Sequence, residues 1–210
     1  KTYASGGAFA KYSHEYQTVL PVGEDTIYLN QDKTIAINEE VMNDEVLNDL
    51  GVKREDLTAI TAAEVGNIFT LRYKFSEPIN LKFDDQDGIK KTVFMGSYGI
   101  GVSRVMGVIA EKFADDKGLV WPENIAPFKY YLIGIGDQGE EFANDLHKEY
   151  STSILLDDRK LRPGEKFADA ELMGIPYRVV ISNKTLENNS VEITEAKILS
   201  IEEFKQLLRD

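Results

Sequence analysis

The chain of 210 residues has no cysteine and two histidines, His14 and His147, far apart in sequence. That excludes a disulfide framework and a thiolate zinc centre, and no metal site built from protein ligands is expected. No apolar run approaches the roughly 18 residues a membrane-spanning helix needs, so no membrane partner is expected. Positive charge is scarce: 24 Lys and Arg stand against 36 Asp and Glu, a net charge of −12. Such a surface repels phosphate backbones, so any contact with nucleic acid needs a local basic patch. No internal repeat or low-complexity tract is present. The first residues, KTYASGG, carry neither Met nor a secretory leader pattern, and a cytoplasmic location is expected.

What is present divides in two. Residues 14–20 (HEYQTVL), 25–30 (DTIYLN), 67–75 (NIFTLRYKF), 79–85 (INLKFDD) and 91–98 (KTVFMGSY) are β-rich runs separated by turn residues, which predicts an antiparallel sheet. DDQDG, residues 84–88, reads as a hairpin turn, and NEEVMNDEVLNDLG as a weakly helical acidic piece. Two prolines in WPENIAPF, residues 121–128, break helix and strand alike and mark a boundary. Beyond it strand and helix alternate. YYLIGI (130–135), SILL (153–156) and YRVVIS (177–182) read as strands. GEEFANDLHKEY, EKFADAELMG (ended by Gly174) and IEEFKQLLRD read as helices, which predicts a parallel or mixed sheet covered by helices.

The run MGSYGIGVSR, residues 95–104, joins a predicted strand to a helix whose Val102, Val105, Met106, Ile109 and Phe113 share one face, predicting a buried helix. The run is neither a P-loop nor a dinucleotide fingerprint, because the glycine spacing and the Lys-Ser/Thr ending are missing. Small residues let backbone approach a flat ligand, and Arg104 in the first helical turn can lie over a base or grip phosphate. The alternative is a tight junction with Arg104 in solvent or paired with a carboxylate. A second feature is RKLRPGEK, residues 159–166, the densest basic cluster, which is either a nucleic-acid contact or a solvated loop.

These residues resemble the class II aminoacyl-tRNA synthetases, in the form of the bacterial-type prolyl enzymes. MGSYGIGVSR resembles motif 3. SHEY (Ser13–Tyr16) with GED (Gly23–Asp25) resembles the Ser-His-Glu-Phe segment, and AEVGNIFTL (Ala63–Leu71) the Glu-Val-Gly-His-Ile-Phe segment. GLVWPENIAPF resembles the link to the anticodon-binding domain, and LLDDRKLRPGEKFADAELMGIPYRVVI the core of that domain. The segments occur in family order over nearly the whole chain.

The resemblance implies a partial class II catalytic core on an antiparallel sheet, of α+β class, over residues 1–126. An α/β anticodon-binding domain with a mixed sheet would follow over 127–210. It implies ligation of proline to tRNA(Pro) through a prolyl-adenylate, with ATP and with Mg2+ held mainly through ATP. Arg104 would stack on adenine as the catalytic arginine; Glu64, Asn67, Gly99 and Gly101 would line the ATP side; His14, Glu15, Phe69 and Ser97 would line the proline side. Asp158, Arg159, Arg162 and Lys166 would contact the anticodon stem-loop, with Asp158 either accepting from a base or holding Arg159. No nucleophilic triad is implied: Ser13, His14 and Glu15 alternate faces on a strand. Adenylate formation needs two reactants held in line and charge stabilised on the α-phosphate.

The chain departs from the family pattern in places. Members often have His where it has Asn67 and Cys where it has Ser97. Asn30–Thr61 is too short for the editing insertion, so no editing is expected. Motifs 1 and 2, which build the dimer and grip the α-phosphate, would precede Lys1. The chain resembles a C-terminal portion, expected to be inactive alone and to belong to a homodimer in the whole enzyme. The competing reading is a truncated or split relative that binds tRNA or a protein partner without catalysis.

Overall fold

A computed structural model describes residues 1–194 and 197–209. The chain forms two compact units, Lys1–Ile109 and Ala110–Asp210. Asp210, the last residue of the closing helical run, lies outside the described residues.

The first unit is strand-rich. Its strands are β1 (Thr2–Ser5), β2 (Tyr12–Val19), β3 (Asp25–Asn30) and β4 (Ala36–Asn38). After helix α1 (Asp44–Leu50) come β5 (Leu57–Arg72), β6 (Lys82–Asp84), β7 (Lys90–Thr92) and β8 (Met95–Ile100). The main sheet runs β2-β1-β4-β3-β5-β8, and β2 also pairs with β5, so five strands close into a ring. Every pairing is antiparallel except β1 with β4, which meet at Tyr3 and Ile37. The acidic piece forms a single helical turn and then α1. Asn43 caps α1 through its side chain on the Val46 N–H, and Gly51 closes it in the left-handed region. Val46 and Leu47 of α1 pack on Ile37. Asp85 and Gly88 make the turn between β6 and β7: Asp85 Oδ1 accepts from the Asp87 and Ile89 N–H groups, and Gly88 has φ +73°.

Helix α2 (Val102–Phe113) follows β8, and the division between the units falls within it. Its apolar stripe predicts burial, but Val102 is 77% exposed, Met106 59% and Phe113 50%. The periodicity is real. It specifies a face to be covered but not the segment that covers it, and no described residue lies fully buried on this helix.

The second unit contains β9 (Tyr130–Ile135), α3 (Asp137–Glu149), β10 (Ile154–Leu156), α4 (Pro163–Met173) and β11 (Tyr177–Ser182). It continues through α5 (Asn183–Glu187), β12 (Ser190–Ile193), β13 (Lys197–Ser200) and α6 (Ile201–Arg209). Its mixed sheet has the order β10-β9-β11-β12-β13, with β10, β9 and β11 parallel and the last two strands antiparallel. YYLIGI is apolar throughout because both its faces are covered. Tyr130 and Leu132 pack with Ala143 and Leu146 of α3 and Phe204 and Leu208 of α6; Tyr131 and Ile133 pack with Ala170 of α4. Gly174 ends α4 at φ +67°, where a Cβ would stand 1.8 Å from the Leu119 carbonyl oxygen, so only glycine fits.

Candidate functional site

The centre of the first unit is the place where β5 runs between β2 and β8. Glu15 of β2 faces Asn67 of β5, which faces Gly99 of β8; in the next row Phe69 faces Ser97. Residues directly opposite share a face, so Glu15, Asn67, Phe69, Ser97 and Gly99 line one side of the sheet. His14 does not join them. It lies in the row of Ile68 and Tyr98 on the other side, with its ring 5.0 Å from that of Tyr3, and burial pushes its pKa down. Strand alternation thus separates His14 from Glu15, with which it was expected to line the proline side.

Glu64 reaches the first face because of a bulge. Tyr16 pairs with Gly66 while Gln17 pairs with Glu64, leaving Val65 as an extra residue on β5. Glu64 and Asn67, three apart, are thereby neighbours: Asn67 Nδ2 donates to Glu64 Oε1 at 3.1 Å. The Val65 carbonyl, freed from the ladder, accepts the Gly101 N–H at 3.0 Å and so fixes the start of α2.

Arg104, in the first turn of α2, donates from Nη1 to the Glu64 carbonyl at 3.0 Å, with Glu64 Oε2 at 3.5 Å and Glu24 Oε1 at 3.1 Å. All three contacts use one nitrogen, and the side chain stays 48% exposed. Arg104 is therefore paired with carboxylates and still presents its guanidinium to a pocket. That pocket, about 420 Å³, is lined by Glu64, Asn67, Gly99, Gly101, Ser103 and Arg104. A Cβ at Gly99 would stand 2.8 Å from Asn67 Oδ1, so a side chain there would have to push the Asn67 amide aside.

Glu15 sits beside this group. Burial pushes its pKa up, against hydrogen bonds from the Gln17 and Asn38 amides, while Glu64 and Glu40 add to the rise. Glu24, Gln17 and Asn38 were not singled out from the sequence. Glu24 and Asp25 stand in the GED segment, but nothing in their spacing tells that a turn carries Glu24 to Arg104.

In the second unit the loop after β10 corrects the basic-patch expectation. Asp157, its side chain fully buried, accepts from Arg159 Nε at 2.9 Å, Arg159 Nη2 at 2.7 Å and the Tyr131 hydroxyl at 2.7 Å. Arg159 Nη1 also meets Asp169 at 2.8 Å. Lys166 is 4% exposed, and its Nζ donates to the Asp157 carbonyl at 2.9 Å. Lys166 is thus an internal cross-link of the loop and not a surface cation. The residue that holds Arg159 is Asp157, not Asp158. Asp158, Lys160 and Arg162 are exposed, and the Arg162 N–H donates to Glu165 Oε2 at 3.0 Å to start α4. Arginine beside Asp157 holds that carboxyl well below the usual range, at about 2.

Comparison with known proteins adds a family. The family model described as Anticodon binding domain matches residues 129–209. A proline–tRNA ligase of Ehrlichia chaffeensis is 34% identical over 226 aligned residues, covering 98% of this chain and 53% of that protein. A proline–tRNA ligase of Persephonella marina is 44% identical over 152 residues, covering 70% of this chain and 27% of that protein. The chain spans about half the length of the curated relatives it matches from end to end, in their C-terminal portion. Among solved structures, a prolyl-tRNA synthetase of Cryptosporidium parvum complexed with L-proline and AMP superposes with a TM-score of 0.57. It is 24% identical and covers 70% of this chain and 34% of that one, a likeness that speaks to fold alone. No helix among the described residues is long and apolar enough to cross a membrane.

Proposed function

The chain belongs to the prolyl-tRNA synthetase family, and from that premise we propose that it is the C-terminal part of an enzyme that joins proline to tRNA(Pro) through a prolyl-adenylate. The observation that carries the proposal is the pocket in which Arg104, Glu64, Asn67, Gly99 and Gly101 meet. Residues 1–126 act as part of a class II catalytic core and residues 127–210 as the anticodon-binding domain. The whole enzyme is a homodimer that works in the cytoplasm.

In this reading the adenine lies over the flat strand at Gly99, and the Arg104 guanidinium, held at one edge by Glu64 and Glu24, covers it. The positive end of α2 adds to the attraction for phosphate. Asn67 and Glu64 supply polar contacts to the nucleotide. Across the face, the Glu15 carboxylate meets the secondary ammonium of proline, with Phe69 against the ring and Ser97 at its rim. Among the described residues no group of three or more His, Asp or Glu is arranged to hold a metal ion. Mg2+ would be held mainly through the phosphates of ATP and, when bound, would neutralise phosphate charge. The residues themselves bind and orient the two reactants, which is what in-line attack of the proline carboxylate on the α-phosphate requires.

For the anticodon domain, the exposed side chains of Asp158, Lys160 and Arg162, with the half-exposed Arg159 behind them, form the tRNA contact. In the full-length protein, proline-dependent ATP–pyrophosphate exchange and binding of tRNA(Pro) are both expected. Replacing Lys160 and Arg162 together with Ala is expected to weaken tRNA binding and to shallow its salt dependence by about one to two units of slope. Exchange measured without tRNA is expected to stay at the wild-type rate. A wild-type protein that binds tRNA but performs no exchange would favour the non-catalytic binding module.

A further inference from the structure

Glu15 is a half-buried carboxylate that two neutral amides grip by one oxygen. Gln17 Nε2 donates to its Oε2 at 3.0 Å, and Asn38 Nδ2 donates to the same atom at 3.1 Å. Other contacts fix which way round each amide stands. Asn38 Oδ1 accepts the Glu40 N–H at 3.1 Å, so its NH2 end must face Glu15. Gln17 Nε2 also donates to Asp25 Oδ2 at 2.5 Å; turned over, the amide would set its oxygen against two carboxylates.

Gln17 Oε1 is buried and has no hydrogen-bond partner among the described residues. The hydrogen bonds this amide makes to the protein therefore come from its NH2 end, to Glu15 and Asp25. Neutral donors have a further consequence. A lysine or arginine in their place would cancel the charge of Glu15. Amides favour the ionised carboxylate against the pull of burial without neutralising its charge.

We propose that Gln17 and Asn38 are positioning residues for the amino-acid substrate: they hold Glu15 by Oε2 and leave Oε1 for the protonated amine. This rests on the reading of Glu15 given above. The groups that face Glu15 are Gln17 on its own strand, Asn38 on β4, Glu40 in the turn beyond it, and Glu64 and Asn67 on β5. Asp25 of β3 stands behind Gln17. Burial and the neighbouring Glu64 and Glu40 raise the pKa of Glu15, and the two amides oppose them. Without the amides Glu15 keeps its proton to higher pH and loses its attraction for the amine.

The test is proline-dependent pyrophosphate exchange by the full-length protein, between about pH 5 and about pH 9, in Asn38→Asp and Gln17→Met variants. The first keeps an acceptor for the Glu40 N–H and removes the donor to Glu15; the second keeps the length of the chain and removes the amide. In each, KM for proline is expected to rise about tenfold, with kcat and KM for ATP within about twofold of wild type. The acid limb of kcat/KM for proline is expected to move to higher pH. Wild-type KM for proline and an unmoved acid limb in both variants would overturn the proposal, as would a KM for ATP that rises in step. Carboxyl NMR of Glu15 separates the two levels of the reading. If the wild-type protein performs no exchange, the amino-acid reading fails, and an unmoved Glu15 titration in Asn38→Asp refutes the positioning by itself.

Discussion

Arg104→Ala is expected to lower proline-dependent ATP–pyrophosphate exchange of the full-length protein by roughly 100- to 1,000-fold, the loss typical of removing a preorganised charged group from a site where charge develops. The geometry says why the loss is large. Nη1 is already committed to Glu64 and Glu24, so the guanidinium is anchored before any nucleotide arrives. The rest of the group, half exposed, faces the pocket of Gly99 and Asn67. Lysine keeps the charge and an ion pair with Glu64 but has no plane to stack, so Arg104→Lys is expected to recover little activity. A thermal melt separates catalysis from architecture. The ion pairs of Arg104 are partly exposed, and such pairs contribute at most about 1 kcal/mol. Both variants are therefore expected to melt within a few degrees of wild type. Unchanged exchange in Arg104→Ala would remove the residue from the site; exchange lost in proportion to a large fall in Tm would make it a structural clamp.

Much of the second unit was legible because its signals are local. YYLIGI is apolar at every position, as a strand covered on both faces must be, and Phe142, Leu146 and Tyr150 repeat at the helical period. Gly174 stands where only a left-handed cap fits. Strands β12 and β13 were not legible: SVEI and KILS are short, half polar and carry no turn chemistry that sets them apart. In the first unit the acidic helix and the β6–β7 turn could be read, while the extent of β5 and the pairing of β1 with β4 could not. A three-residue strand such as Ala36–Asn38 is defined by its partners, not by its own pattern.

Of the candidate site residues, Glu64, Asn67, Gly99, Gly101 and Arg104 line one pocket, but how they are assembled was not legible. What the sequence conceals is the bulge at Val65, because an extra residue in one strand exists only relative to the register of another. The same limit hides Glu24 and Asn38, whose partners Arg104 and Glu15 lie 80 and 23 positions away, and the reach of Gln17 across to Asp25. The exposure of α2 is the converse case. Its stripe asks for a cover, and periodicity does not name the segment that supplies it. The basic loop misled for a third reason: a count of charges does not tell which are spent on each other. Of its four cations, Arg159 is paired with Asp157 and Asp169, and Lys166 is buried.

That pairing leads to the second large effect. Asp157→Ala is expected to destabilise the protein by roughly 2–3 kcal/mol, because it leaves the buried Tyr131 hydroxyl without its acceptor and takes one carboxylate from Arg159, which keeps Asp169. In a calorimetric or circular-dichroism melt this corresponds to a fall in Tm on the order of 10 °C. Asp157→Asn keeps the shape and one acceptor but turns an NH2 toward donors, so its loss is expected to be smaller. The pH dependence tests the cause. The folded-state pKa of Asp157 is depressed to about 2, below its unfolded value near about 4. Its contribution, roughly 2–3 kcal/mol by linkage, is therefore fully present above about pH 4 and lost as pH falls toward about 2. The gap in stability between wild type and Asp157→Asn is expected to be constant from neutral pH down to about pH 5 and to narrow below about pH 4. At the other end, burial and the bond to Asp157 raise the pKa of Tyr131. A raised value favours the neutral phenol in the folded state, so stability falls as pH climbs past about 10, where the unfolded phenol ionises. A gap that stays constant down to about pH 2 would show that Asp157 acts through packing alone. With the carboxylate replaced by an amide, Arg159 is held less firmly while Lys166 keeps its bond to the backbone carbonyl, so tRNA affinity is expected to fall in Asp157→Asn while exchange measured without tRNA holds. Loss of exchange in that variant would contradict the assignment of this loop to tRNA.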